Sequence, residues 1–401
     1  MKHGKETCKR KTLRYEYLKR LELPDFSQDR EEQATLSHWV HLANTQFARP
    51  YQETAERLLP QNVRDALTSN CVAEGDPNQL LFPDLLDVPF PPPQNPKFTF
   101  IDLFSGIGGI RLAYQQAGGL CVFSSEWNAD AGKSYFANFG EVPFGDITKI
   151  APDSIPPFDV LLAGFPCQPF SIIGAKEGFH HETQGTLFFD IERILLAKRP
   201  KAFMLENVRN LTAHDGGRTF AVIISHLRAA GYDVHYKVLN ALHFGVPQKR
   251  ERIIICGFRK PMPFVFPDGK PDGMPSLASI LDPDAEKDKS LFVRDEIRNS
   301  RLARIAGKTI QKPYISHENV AGTITPHPYS CALRAGASAN YILVNDERRP
   351  SGRELLRLQG FPDTYRIVVN YTQIRRQTGN SVAVPVIAAV AEKLVPFLKE
   401  L

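Results

Sequence analysis

Cys167 follows an apolar run through Gly-Phe-Pro, and the loop residues Gln168, Pro169 and Ser171 come directly after it. A cysteine inside a core is a small hydrophobe, but one held at a strand tip is a candidate nucleophile. The histidines nearest in sequence, His180 and His181, lie in the glycine-containing loop beyond, so a Cys–His hydrolase has no evident local base. Glu206 ends a second apolar run, KAFMLENV. A carboxyl in a dry site there can keep its proton and donate it to a base nitrogen; the alternative is an acid that caps the next helix. Arg250 and Arg252 stand at i and i+2 of the extended segment QKRER and so face one side. They suit a phosphate or a base carbonyl, or simply edge a sheet. The six cysteines, at positions 8, 71, 121, 167, 256 and 331, form no C-x-x-C pair. That spacing predicts neither zinc nor a disulfide scaffold, and a reducing compartment.

A glycine turn, Phe104-Ser105-Gly106-Ile107-Gly108-Gly109, lets backbone approach a ligand at a helix start. A dinucleotide fingerprint needs glycine at position 111, where Arg111 stands, so that match fails. Glu126 follows at about the twenty-residue distance from which an acid binds ribose hydroxyls, and Trp127 beside it can stack on an adenine ring. A nucleoside cofactor without a pyrophosphate fits these residues better than NAD.

The elements that must position these groups show in the texture of the chain. FTFIDLF, LCVFSSEW, FDVLLAGFP, KAFMLENV, HYKVLNA and RIIICGF alternate with helical segments. Such alternation predicts an α/β domain with a mostly parallel sheet buried on both faces. Ligands of such sheets bind beyond the carboxyl ends of the strands, and the unusual residues fall there. Residues 1–80 read as a helical N-terminal extension and 81–96, with Pro89, Pro91, Pro92 and Pro93, as a stiff linker. Residues 97–258 read as the α/β domain, 259–346 as a smaller irregular unit, and 347–401 as helices returning to the first. The first twenty residues carry +6 against +5 for the whole chain, an arm that suits phosphates or simply solvent. No apolar stretch is long enough to span a bilayer and no secretory h-region is visible, which predicts a cytoplasmic protein without a membrane partner.

The series FIDLFSGIGG, SEW, GDIT, GFPCQPFS, ENV, QKRER and TGNSV, with GTLFFD and LQGFPD, resembles the motif order of the bacterial C5-cytosine DNA methyltransferases. The resemblance covers about 97–258 and 347–401 and leaves the first 95 residues outside. It implies a Rossmann-like, S-adenosylmethionine-dependent methyltransferase domain with 259–346 as target-recognition domain, and methylation at C5 of a flipped-out cytosine in duplex DNA. Cys167 would add to C6, Glu206 would act at N3, and Arg250 and Arg252 would hold the base and its phosphate, Arg252 at O2. The cofactor would rest on Phe104, Gly106, Gly108, Gly109, Glu126, Trp127, Asp146, Ile147, Phe165, Leu187, Asn380 and Ser381. Gln168, Ser171, Gln248, Thr323 and Arg334 would contact DNA. Ile173 stands in the mobile loop of this family, where some relatives carry serine. No metal is implied. The expected assembly is a monomer, either the partner of a restriction endonuclease in function and not in complex or a related solitary methylase. Rival readings are a tRNA cytosine-5 methyltransferase of the same fold and a catalytically silent DNA-binding protein.

Overall fold

The computed structural model describes residues 30–42, 45–52, 87–166, 187–307 and 311–401. Its centre is a six-stranded sheet: β1 (Phe98–Leu103), β2 (Gly119–Ser125), β3 (Val160–Gly164), β4 (Ala202–Val208), β5 (Asp233–Asn240) and β7 (Glu251–Phe258). The spatial order is β2-β1-β3-β4-β7-β5. Strands β1 to β4 pair in parallel, and β7 runs antiparallel between β4 and β5. All six predicted strands are present. Phe144 adds a single parallel bridge to Ser125, the remnant of the short segment before Asp146.

The strands are apolar at consecutive positions because successive side chains enter opposite layers. Ile101, Leu161, Leu205 and Ile255 join one core, while Phe100, Leu162, Met204 and Ile254 join the other. The first layer is covered by α4 (Leu187–Lys198) and α5 (Arg218–Ala229), the second by α2 (Gly109–Gln116), α3 (Ala129–Phe139) and α9 (Val384–Leu394). The run Tyr371–Lys399 is apolar and helical enough to cross a membrane by length and composition. In the fold it is α8 (Tyr371–Asn380) followed by α9, and α9 buries Val386, Ile387, Val390 and Leu394 in the second core.

The N-terminal helix α1 (Glu31–Leu42) lies against the β2 side of the sheet. Ser37 Oγ accepts from Val142 N at 2.9 Å, and Tyr51 OH donates to Val122 O at 2.7 Å. Beneath it Arg111, fully buried, forms a two-pronged ion pair with Glu141 at 2.6 and 2.7 Å. Of the predicted N-terminal extension, residues 1–29, which include the basic arm, and 53–80 fall outside the described residues. The described part of the proline stretch is seated on the body: Phe90 N donates to Asn138 O, and its ring packs on Phe139 and Tyr365.

Between 259 and 346 the rhythm breaks as expected, yet a three-stranded antiparallel sheet forms from β8 (Ile315–Glu318), β9 (Ile324–His327) and β11 (Ile342–Val344). It is joined by α6 (Asp295–Arg304) and a series of 3-10 turns. Strands of three or four residues carry too little alternation to be read from sequence. Helix α8, though polar in its run TQIRRQTGN, buries one face through Ile374, Gln377, Thr378 and Gly379.

Candidate active site

The sheet order reverses between β1 and β3, the position where open α/β sheets form a crevice. The glycine turn leaves β1 at this point. Phe104, Gly106 and Gly108 have φ of 54°, 55° and 78°, a left-handed region that suits glycine and is uncommon for phenylalanine. Gly108 admits no side chain, since a Cβ there would meet the Phe139 ring at 2.2 Å. The turn is tied to the neighbouring strand tip: Ser105 N donates to Ser125 O, and Gly106 N donates to Glu126 Oε2 at 2.8 Å.

Glu126 is nearly buried, and its second oxygen accepts from Asn128 N at 2.7 Å. Burial pushes its carboxyl above the ordinary value, while these two N–H donors and Arg30 oppose the shift. Trp127 is 77% exposed, free to present a face to a flat ring. Asp146 caps the turn Ile147–Lys149 by accepting from Thr148 N, with Ile147 buried beneath. Leu187 opens α4 half-buried, and Phe165 is buried at the end of β3.

The distant C-terminal motif closes on the same turn. A Cβ on Gly109 would come within 2.9 Å of Ser381 Oγ and 3.0 Å of Val382. Ser381 is half-buried there and Asn380 is exposed beside it. A glycine cradle, an oriented acid, an exposed indole and a small polar residue thus share one sheet edge. These residues fit a nucleoside with a small charged tail, and no cluster of metal-ligating side chains is present among the described residues.

The next strand tips carry the acid and the arginines. Glu206 pairs in register with Gly164 of β3 and Ile254 of β7. Because β7 runs antiparallel, its first residues meet the last residues of β4, which places Arg252 opposite Val208. Arg252 Nε lies 3.0 Å from Glu206 Oε1. The contact is an ion pair without hydrogen-bond alignment, so among the described residues Oε1 keeps an unfilled acceptor site. Burial pushes the Glu206 carboxyl up, and the two arginines only partly offset it. Asn207 Nδ2 donates to Phe165 O at 3.0 Å, binding this acid-bearing tip to the segment that leads into Cys167. Asn207 escaped sequence reasoning because its role depends on a partner 42 positions away.

Cys167, Gln168 and Ser171, with Ile173 and His180–His181, lie outside the described residues. Arg250 and Gln248 are both buried. The Arg250 guanidinium is 2% exposed and donates to the carbonyls of Leu333, Gly379 and Ser381. It lines one narrow cavity with Glu206 and Arg252; its terminal nitrogens tie three segments together, while Nε has no partner among the described residues. Burial beside Arg252 lowers its pKa to about 9. Gln248 is fully buried, donating to Leu358 O at 2.8 Å and accepting from Leu333 N at 3.0 Å, so it is no surface for DNA. The burial of both side chains has one cause. The segment 330–334 folds over β6 (Gln248–Lys249), with Ser330 and Cys331 pairing against it. Arg334 and Thr323 are exposed as a contact residue must be; Arg334 stacks over the Tyr341 ring at 4.9 Å.

A mostly parallel sheet with a glycine turn, a buried acid and an exposed indole at its switch point defines a Rossmann-like α/β domain. Residues 98–396 match the family model described as C-5 cytosine-specific DNA methylase. The chain is 55% identical over 292 residues to the type II methyltransferase M.NgoBI of Neisseria gonorrhoeae, covering 73% of this chain and 91% of that one. It is 54% identical over 303 residues to the type II methyltransferase M.HaeII of Haemophilus aegyptius, covering 75% and 94%. The fold is also that of a DNMT2 from Spodoptera frugiperda, with a TM-score of 0.55, 20% identity, and 75% and 99% coverage. The chain belongs to the C-5 cytosine-specific DNA methylases and is a DNA (cytosine-5)-methyltransferase.

Proposed function

We propose that the enzyme methylates C5 of one cytosine, turned out of duplex DNA, through a transient bond between Cys167 sulfur and C6. S-adenosylmethionine, when bound, supplies an electrophilic methyl group and leaves as S-adenosylhomocysteine. Glu126 would accept the ribose hydroxyls, Trp127 would face the adenine, and Asp146–Ile147 would border the ring. Phe104 to Gly109, with Phe165, Leu187 and Asn380–Ser381, would enclose the tail. The target base must leave the stack because its reacting carbons are closed off inside a duplex.

The observation that carries this reading is the placement of Glu206. It is a buried carboxyl with a raised pKa, in register with the strand that leads within three residues to Cys167. As the Cys167 thiolate adds to C6, the ring electron pair moves to C5 and N3 draws a proton from Glu206. C5 is then nucleophilic enough to be methylated. A water then takes the C5 proton, the C–H pair re-forms the C5=C6 bond, the C6–S pair returns to the Cys167 sulfur, and N3 gives its proton back to Glu206, which releases 5-methylcytosine. Arg252, with its side chain beside Glu206, would hold O2. Arg250 would brace the site through Leu333, Gly379 and Ser381.

In this reading residues 259–346 are the target-recognition domain, with Thr323 and Arg334 facing DNA. The enzyme would act as the monomeric modification partner of a restriction endonuclease. Duplex DNA should acquire label from tritiated S-adenosylmethionine, and DNA carrying 5-fluorocytosine should trap a stable adduct, because fluorine at C5 cannot leave as a proton does. Cys167→Ala should do neither. Glu206→Gln should bind cofactor normally and turn over about 10²–10⁴ times more slowly. Equal labelling by Cys167→Ala would overturn the covalent route.

A further inference from the structure

We propose that Arg30, outside the segment shared with the family, is a positioning residue that holds the Glu126–Trp127 turn in its cofactor-binding shape. The proposal rests on the reading of that turn as the S-adenosylmethionine contact.

Arg30 is 5% exposed, and one of its terminal nitrogens donates to Glu126 O at 2.6 Å and to Trp127 O at 3.0 Å. These consecutive carbonyls follow the end of β2, where Glu126 N still donates to Phe144 O and Arg30 supplies the donor for the two carbonyls. From the other side, the Glu126 carboxylate receives Gly106 N and Asn128 N. The turn is therefore gripped on one side by the glycine cradle and on the other by Arg30. Trp127 depends on this grip most. With its side chain 77% exposed, packing does little to orient the ring, so its direction follows from the backbone at 126–128. Charge-assisted bonds are shorter and stronger than neutral ones, so a guanidinium suits this task.

Arg30 is itself delivered by α1. That helix is anchored by Ser37 to Val142 N, and His38 Nε2 lies 3.3 Å from Ser124 Oγ. The family model begins at residue 98, so this support is an addition specific to the N-terminal segment. A site built on a turn gains affinity when the turn is held in its bound shape beforehand.

The test is calorimetric binding of S-adenosylmethionine to the full-length protein, beside affinity for a duplex and steady-state kinetics. Arg30→Ala should weaken cofactor binding about tenfold. KM for the cofactor should rise in step, with kcat and duplex affinity unchanged. Arg30→Lys, whose single ammonium cannot reproduce the guanidinium bond geometry, should recover part of the loss. Ser37→Ala removes one anchor of the same helix while the Tyr51 and His38 contacts stay; it should lower the melting temperature and weaken cofactor binding by clearly less than Arg30→Ala. An Arg30→Ala affinity within twofold of wild type would overturn the proposal, as would an equal loss in Ser37→Ala. Should Arg30→Ala fail to fold, the contrast between Arg30→Lys and Ser37→Ala decides on the same criteria. Wild-type protein that binds duplex but not S-adenosylmethionine would instead sink the cofactor assignment, and the proposal with it.

Discussion

Asp102, at the end of β1, is fully buried, and neither carboxyl oxygen has a hydrogen-bond partner among the described residues. Burial pushes its pKa from 3.8 to about 8, although Arg111 nearby pulls the other way. The folded protein therefore holds this acid neutral where the unfolded chain has released the proton. For a carboxyl raised in this way, the stabilising contribution is complete below the unfolded pKa and is lost as pH rises towards the folded one. Inside that window the loss is about 1.4 kcal/mol per pH unit, or about 3 kcal/mol between about pH 5 and about pH 7. Asp102→Asn replaces a neutral acid by a neutral amide of the same shape and removes the titration. In urea unfolding across that range, the variant should gain on wild type by about 3 kcal/mol as pH rises. The comparison must be made between the two proteins, because His38 tilts the absolute curve the opposite way. Burial depresses its pKa from 6.5 to about 4, so its contribution is lost as pH falls through that interval. Parallel stability curves for wild type and Asp102→Asn would refute the reasoning and mean that the carboxylate is ionised and solvated in the native state.

Other outcomes follow from the same geometry. Glu141→Gln leaves the Arg111 guanidinium buried without its counter-charge and should cost about 3–5 kcal/mol in chemical unfolding; a loss under about 1 kcal/mol would contradict the placement. Glu141 itself is depressed to about 2, so its stabilisation stays intact above the unfolded value of 4.5 and fades as pH falls through the folded one. A Cβ on Gly379 would lie 2.3 Å from Ala335 N, so Gly379→Ala must push 334–335 away from α8. It should cost about 1–3 kcal/mol and weaken duplex binding more than cofactor binding, as separate titrations would show. Gln248→Ala should lower the melting temperature by removing a buried three-way junction, without the change in salt dependence expected of a lost phosphate contact.

The sheet was legible because its inner strands carry runs of consecutive apolar residues and end in residues that no core would choose. The sequence alone therefore determined the alternating α/β order, the strand-tip position of Glu126 and Glu206, the failed dinucleotide match at Arg111, and a motif order specific to one family. These are properties of neighbours along the chain. Tertiary structure decided what depends on partners far apart in sequence. Arg250 and Gln248 read as ligand contacts in QKRER, yet the fold closes 330–334 and 379–381 over them, and a buried donor bonds whatever carbonyl is nearest. Gly109 meets Ser381 only because α9 packs back on α2. Arg30 reaches the Glu126 turn across 96 positions through a helix whose own sequence carries no mark of its destination. Local pattern sets where a strand stops, whereas the use of a charged side chain is settled by which unpaired backbone groups the finished core leaves beside it.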